Sequence, residues 1–178
     1  MKKLSILLLI TVLITACSVK KVEKVEDEDK FALEYSIKPG HVFEYSKIHD
    51  IFDIFDSDTG IIYFADSDQE KSIIYTGVIN DIFNDLDVKK INYYNPSNIK
   101  NNDTKYYREL LSLLGDKVGI DDDGNLSLDI PSLYFVKNGD IVGCLNSNDY
   151  SVDSLMKNNA KNKIKEEIEE ILKEYKSA

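Results

Sequence analysis

The chain is 178 residues long and carries 22 basic against 32 acidic residues, a formal net charge of −10. That acidity repels phosphate backbones and anionic head groups, which excludes nucleic acid as a partner. Two cysteines and two histidines are too few for a disulfide framework, a zinc site or a haem site, so no metal or other cofactor is expected.

Met1-Lys2-Lys3, an apolar run from Leu4 to Ala16 and then Cys17 follow the charged, apolar and small-residue order of a secretory signal. The run falls short of the ~18 apolar residues that a membrane span needs. Ile14-Thr15-Ala16-Cys17 resembles the bacterial lipobox. That resemblance implies a leader over 1–16, cleavage before Cys17 and lipid on its thiol, with the chain held on the extracytoplasmic face of the cell membrane. Loss of Lys2 and Lys3 takes the formal charge from −10 to −12. An acidic body gains nothing from anionic lipid, so the acyl chains alone must anchor it, and two or more are needed. Residues 17–30 are the lipidated cysteine and a run of charges with isolated valines, which reads as a flexible tether. The remainder, 31–178, is one domain's length of chain.

Phe31 to Ile37 alternates imperfectly and stops at Pro39-Gly40, which predicts a first strand. Ile48, Ile51, Phe52 and Phe55 share a helical face, and Ile61 to Phe64 is a continuous apolar run suited to a strand covered on both sides. Tyr75, Ile79, Ile82, Phe83 and Leu86 trace a helix over about 69–86. A strand is predicted from Val88 to Tyr94, a polar stretch over 97–102, and a helix over about 103–114 with Tyr107, Leu110, Leu111 and Leu114 inward. Gly115 to Asp129 is an acidic, glycine-containing loop. Ser132 to Leu145 is a hairpin turning at Asn138-Gly139, a pair that accepts positive φ. A long final helix carries Ile164, Ile168, Ile171, Leu172 and Tyr175, with Glu169 and Lys173 spaced as an i,i+4 pair. Alternating elements of this kind predict an α/β fold, a mixed central sheet with helices on both faces.

Ile130-Pro131 leading into Ser-Leu-Tyr-Phe-Val-Lys-Asn-Gly-Asp-Ile-Val-Gly resembles the cis-proline hairpin of thioredoxin-like proteins. Tyr63-Phe64 and Tyr93-Tyr94 add to the likeness. By element order it covers about residues 31–175, and it is nearest to thioredoxin-like lipoproteins and the bacteriocin transport accessory proteins of low-GC Gram-positive bacteria. The family's Cys-x-x-C pair would fall on Gln69 and Ser72 of Gln69-Glu70-Lys71-Ser72, so the resemblance implies the scaffold without the redox dithiol.

Neither glutamine nor serine can supply a low-pKa thiolate or resolve a mixed disulfide. A groove between the start of that helix and a cis Pro131 would still accept an extended peptide by main-chain pairing, which points to an envelope protein or peptide as partner. A trans proline at a strand's first residue is the alternative for Pro131, and the residues that follow it favour cis. Two alternatives stand beside the groove. Cys144 is a candidate lone thiol: counting from the turn pairs Val136 with Ile141 and Leu133 with Cys144, near Pro131, although a free cysteine usually serves as a small buried apolar residue. A structural or immunity-type lipoprotein would need no groove. Asp121-Asp122-Asp123-Gly124-Asn125 departs from a calcium loop at Gly119 and Ile130, and a solvated acidic face explains it. Ser72, His41 and His49 lack the G-x-S-x-G setting of a hydrolase.

Overall fold

A computed structural model describes residues 27–177. The leader, the lipidation expected at Cys17 and the tether as far as residue 26 lie outside the described residues. No helix among the described residues is long and apolar enough to cross a membrane.

The fold is α/β, built on a mixed five-stranded sheet. Strands β1 (Phe43–Tyr45), β2 (Gly60–Phe64) and β3 (Ile91–Tyr94) run parallel, with β3 between the other two. Two short strands, β4 (Gly119–Ile120) and β5 (Leu126–Ser127), form a separate hairpin. The main sheet ends in β6 (Ser132–Lys137), antiparallel to β2, and β7 (Asp140–Asn146), for the order β1-β3-β2-β6-β7.

Every residue of β2 is buried because side chains alternate between two covered faces. Ile61 and Tyr63 enter one core with Leu133 and Phe135, while Ile62 and Phe64 enter the other with Tyr134 and Val136. Helix α1 (27–34), α3 (Glu70–Asp85), α6 (Val152–Leu155) and α7 (Asn158–Lys176) cover the first face. The second is covered by α2 (Ile48–Asp56), α4 (Ser97–Asn101) and α5 (Lys105–Leu114). Of the inward stripes expected on α3, α5 and α7, Tyr75, Ile79, Ile82 and Phe83, then Tyr107, Leu110 and Leu114, then Ile164, Ile168 and Leu172 are buried, whereas Leu86, Leu111, Ile171 and Tyr175 are only half-buried.

Five sequence expectations need correction. The strand predicted over Phe31–Ile37 is instead the end of α1 and a turn through Ser36 at φ +53°, and the first strand follows the Pro39-Gly40 break. Phe31, Ala32 and Tyr35 are buried at helical spacing, whereas Leu33, which strand alternation would bury, is 81% exposed. Phe31 and Tyr35 stack at 4.6 Å, as residues four apart on a helix can. The last four residues of the expected tether, 27–30, belong to α1. The polar stretch before α5 holds α4, and α5 starts at Lys105 because the Thr104 hydroxyl accepts from the Tyr107 amide and caps it. The loop over 115–129 contains β4 and β5. On α7 the i,i+4 ion pair is Lys163 with Glu167 at 3.6 Å, rather than Glu169 with Lys173.

The main hairpin turns as expected, with Asn138 at φ +51° and Gly139 at φ +86°. A side chain on Gly139 would also come within 2.9 Å of the Phe55 carbonyl oxygen, so glycine lets the turn lie against the end of α2. Val136 faces Ile141 as counted, but a register shift between Phe135 and Val136 then displaces the pairing by one. Leu133 faces Leu145, and Cys144 faces Tyr134.

Candidate functional site

At the C-terminal ends of β2 and β3 the chain must leave the sheet, and Asp66 organises that exit. It is 9% exposed. Its carboxylate accepts from the Ser97 hydroxyl at 2.5 Å, the Asp68 backbone amide at 3.1 Å, the Asn95 side-chain amide at 3.3 Å and the Gln69 side-chain amide at 3.5 Å. Burial pushes its pKa up, yet bonds from Ser97, Asp68, Asn95 and Gln69 outweigh burial and hold it below the ordinary carboxylate value. One carboxylate thereby ties the β2–α3 loop to the β3–α4 loop.

Gln69 is the N-cap residue of α3, in an extended conformation, and its side chain makes no capping bond to the helix. It is exposed. Ser72, one turn inward, is fully buried; its hydroxyl oxygen accepts from the Asp66 amide at 3.4 Å. Its carbonyl accepts from the Thr76 hydroxyl at 2.7 Å, and Thr76 in turn meets the Tyr63 hydroxyl at 2.9 Å. Ser72 is thus committed to the interior, and Gln69 alone of the two faces outward.

The Ile130-Pro131 bond is cis. Pro131 is buried, and its carbonyl accepts from the Ser147 amide at 3.2 Å. Three side chains hold the approach to it: the Tyr107 hydroxyl accepts from the Leu128 amide at 3.0 Å, Lys100 donates to the Leu128 carbonyl at 3.0 Å, and Asn146 donates to the Asp129 carboxylate. Ile130 itself is half-buried and finds no main-chain partner among the described residues. Its N–H and C=O must then be satisfied by solvent or by another partner.

Gln69 and Ile130 line one open groove of about 420 Å³, together with Asp66, Lys100, Asp129 and Ile120. The structure therefore brings together Gln69 and Ile130, with Pro131 directly behind Ile130 and Ser72 beneath Gln69. Cys144 is not in that lining. It lies half-buried among the side chains of the second core, and burial pushes its thiol up, with Lys117 pulling the other way. The expectation that placed it opposite Leu133 fails at the register shift.

Ser97, Lys100 and Asp129 line the groove and escaped the sequence reading, which counted Asp66 only among the acids Asp53, Asp56, Asp58, Asp66 and Asp68 of a solvated face able at most to hold calcium loosely. An acid directly after a fully apolar strand was the signal at Asp66, because a carboxylate there must find donors. Nothing local marks Asp129, whose partner Asn146 is 17 residues away. In the acidic loop the Asp121 carboxylate accepts from the Asp123 and Asn125 amides at 3.1 and 2.8 Å, closing the turn between β4 and β5. Comparison with protein-family models and with curated proteins finds no match to this chain.

Proposed function

We propose that the chain is a lipid-anchored extracytoplasmic protein of thioredoxin-like fold, without the redox dithiol, that binds an extended segment of another envelope protein between Gln69 and Ile130. The observation that carries this reading is the unpaired main chain of Ile130, directly before a cis proline and across a groove from the head of α3. An extended peptide pairs with such groups much as it would with a sheet edge. The mixed five-stranded sheet, in the order β1-β3-β2-β6-β7 with helices on both faces, is compatible with that fold. Fold by itself licenses no activity, so the argument stays with the groove.

The side chains at the two family positions suit binding rather than thiol exchange. Gln69 offers an exposed amide donor and acceptor, and the Ser72 hydroxyl is spent on the Asp66 amide. A thiol enzyme acting through Cys144 would want a lowered pKa and an open approach, whereas burial pushes the Cys144 thiol up and the residue is half-buried. Anchoring at Cys17 rests on the sequence of the first 17 residues, and replacing Cys17 by serine should abolish incorporation of a labelled fatty acid.

The groove is tested by placing a photoreactive side chain at Gln69 and, separately, at Asp140 on the hairpin tip, in intact bacteria that produce the full chain. An extracytoplasmic protein crosslinked from position 69 and absent from position 140 supports the reading. The same products from both positions, or none from 69, overturn it.

A further inference from the structure

The groove has a chemical character that goes beyond its shape. Asp66, Asp121 and Asp129 line it against one lysine, Lys100. Lys71, outside the lining, feels the charges of Asp129 and Asp149, and counting it together with Asp149 leaves the balance negative. Lys100 is already committed to the Leu128 carbonyl. Asp129 is set against β4: a side chain at Gly119 would meet its carboxylate oxygens at 2.7 and 2.9 Å, so only glycine admits the carboxylate there. The next residue, Ile120, is 72% exposed and pairs across the β4–β5 hairpin with Leu126, which is 56% exposed. Opposed residues of an antiparallel pair point to the same side and successive residues of a strand to opposite sides, so these two form an apolar rung open to solvent on the hairpin face opposite the one that meets the Asp129 carboxylate. Nothing among the described residues covers that rung.

A strand laid along the groove turns alternate side chains to opposite sides. A carboxylate row at the groove and an apolar rung on the hairpin above it are complementary to an occupant of mixed character. Resting on the groove reading above, we infer that the segment bound there is extended and alternates basic with apolar residues, the cations meeting Asp129 and its neighbours and the apolar side chains meeting Ile120 and Leu126. An acidic segment is repelled, and a wholly polar basic one forgoes burial of the rung.

The test uses the full chain and three short fluorescent peptides, alternating valine with lysine, valine with glutamate, and serine with lysine, with anisotropy as readout. The valine–lysine peptide binds about tenfold tighter than either of the others. D129N and I120S each weaken it about fivefold, and added salt weakens it further. D140N removes the same charge from the hairpin tip and leaves binding unchanged, which separates a local contact from the pull of an acidic body. Equal binding of the valine–glutamate or serine–lysine peptide, or a D140N loss equal to that of D129N, overturns the inference. A Gln69→Trp variant, which fills the groove from an exposed position, tells the two failures apart. If all three peptides bind equally and Gln69→Trp abolishes binding, the groove stands and its preference for basic and apolar residues falls. If no peptide binds, or Gln69→Trp leaves binding intact, the groove falls as well.

Discussion

Cavities of similar size sit at the two ends of the central strands, about 420 Å³ beside Asp66 and about 490 Å³ beside Asp50, Asp53 and Asp58. Both are rich in carboxylates, and the difference lies in what those carboxylates touch. At the Asp66 end, Asp66 joins the loops after β2 and β3, Lys100 of α4 and Tyr107 of α5 hold Leu128 in the segment before β6, and Asp129 of that segment meets Asn146 of β7. At the far end, Asp50 accepts from the Lys47 amide and Asp58 from the Thr59 amide, each within its own few residues, and Asp53 is exposed. An acidic cavity is a built feature only where its acids join elements distant in sequence. The other kind is a solvated surface that happens to be concave.

The sharpest way to break that comparison is to remove one acid from each end. Asp66→Ala deletes the acceptor shared by Ser97, Asn95, Gln69 and the Asp68 amide, and should cost about 2 to 3 kcal/mol in denaturant unfolding, since bonds to a charged group are the stronger ones. Asp53→Ala should stay within about 0.5 kcal/mol, because an exposed acid in the latter half of α2 faces an unfavourable dipole and alanine is the better helix former. Equal costs at the two sites would remove the distinction.

Acid sharpens it further. The folded pKa of Asp66 lies below its ordinary 3.8, so the stability that its charge contributes is present above that value and is lost as pH falls through the folded one. The gap between wild type and Asp66→Ala should therefore be full at neutral pH and shrink below about pH 4. Other carboxylates titrate in both proteins and cancel in that difference. A gap that is constant, or grows on acidification, would mean that the charge of Asp66 is not what the surrounding donors stabilise.

A smaller effect is expected at Gly119. Its replacement by alanine forces the Asp129 carboxylate off β4 and away from Asn146, at a cost of about 1 kcal/mol, limited because the displaced atoms are the end of a side chain. No loss of stability would mean that Asp129 is free to sit elsewhere.

How far the sequence reaches follows the same division. The sheet's central strand, the helices with apolar stripes, the hairpin with its Asn138-Gly139 turn and the proline at Pro131 were legible, because each follows from a local period or a residue with restricted backbone angles. The segment before β1 was misread because Phe31 and Tyr35 satisfy both periods, and only the environment of Leu33 decides between them. Cys144 was misplaced by one rung, since the register shift between Phe135 and Val136 leaves no mark in composition. Gln69 and Ile130 were found by resemblance. The network that joins them through Asp66, Lys100 and Asp129 is made of contacts between distant segments, and periodicity says nothing about those.

The smallest effect concerns the buried hydroxyl of Ser147, which has no hydrogen-bond partner among the described residues. The Ser147 amide holds the Pro131 carbonyl, so its backbone is needed at this end of the sheet even though its side chain is not used. Burying a hydroxyl without a partner costs free energy that alanine does not incur, and alanine leaves only a small void. Ser147→Ala should thus be neutral or stabilising by up to about 1 kcal/mol in the same denaturant titrations, with Asp66→Ala as the contrasting case. A loss above about 1 kcal/mol would instead show that this hydroxyl is satisfied in solution, adding a polar link behind Pro131 to those that Asp66 makes in front of it.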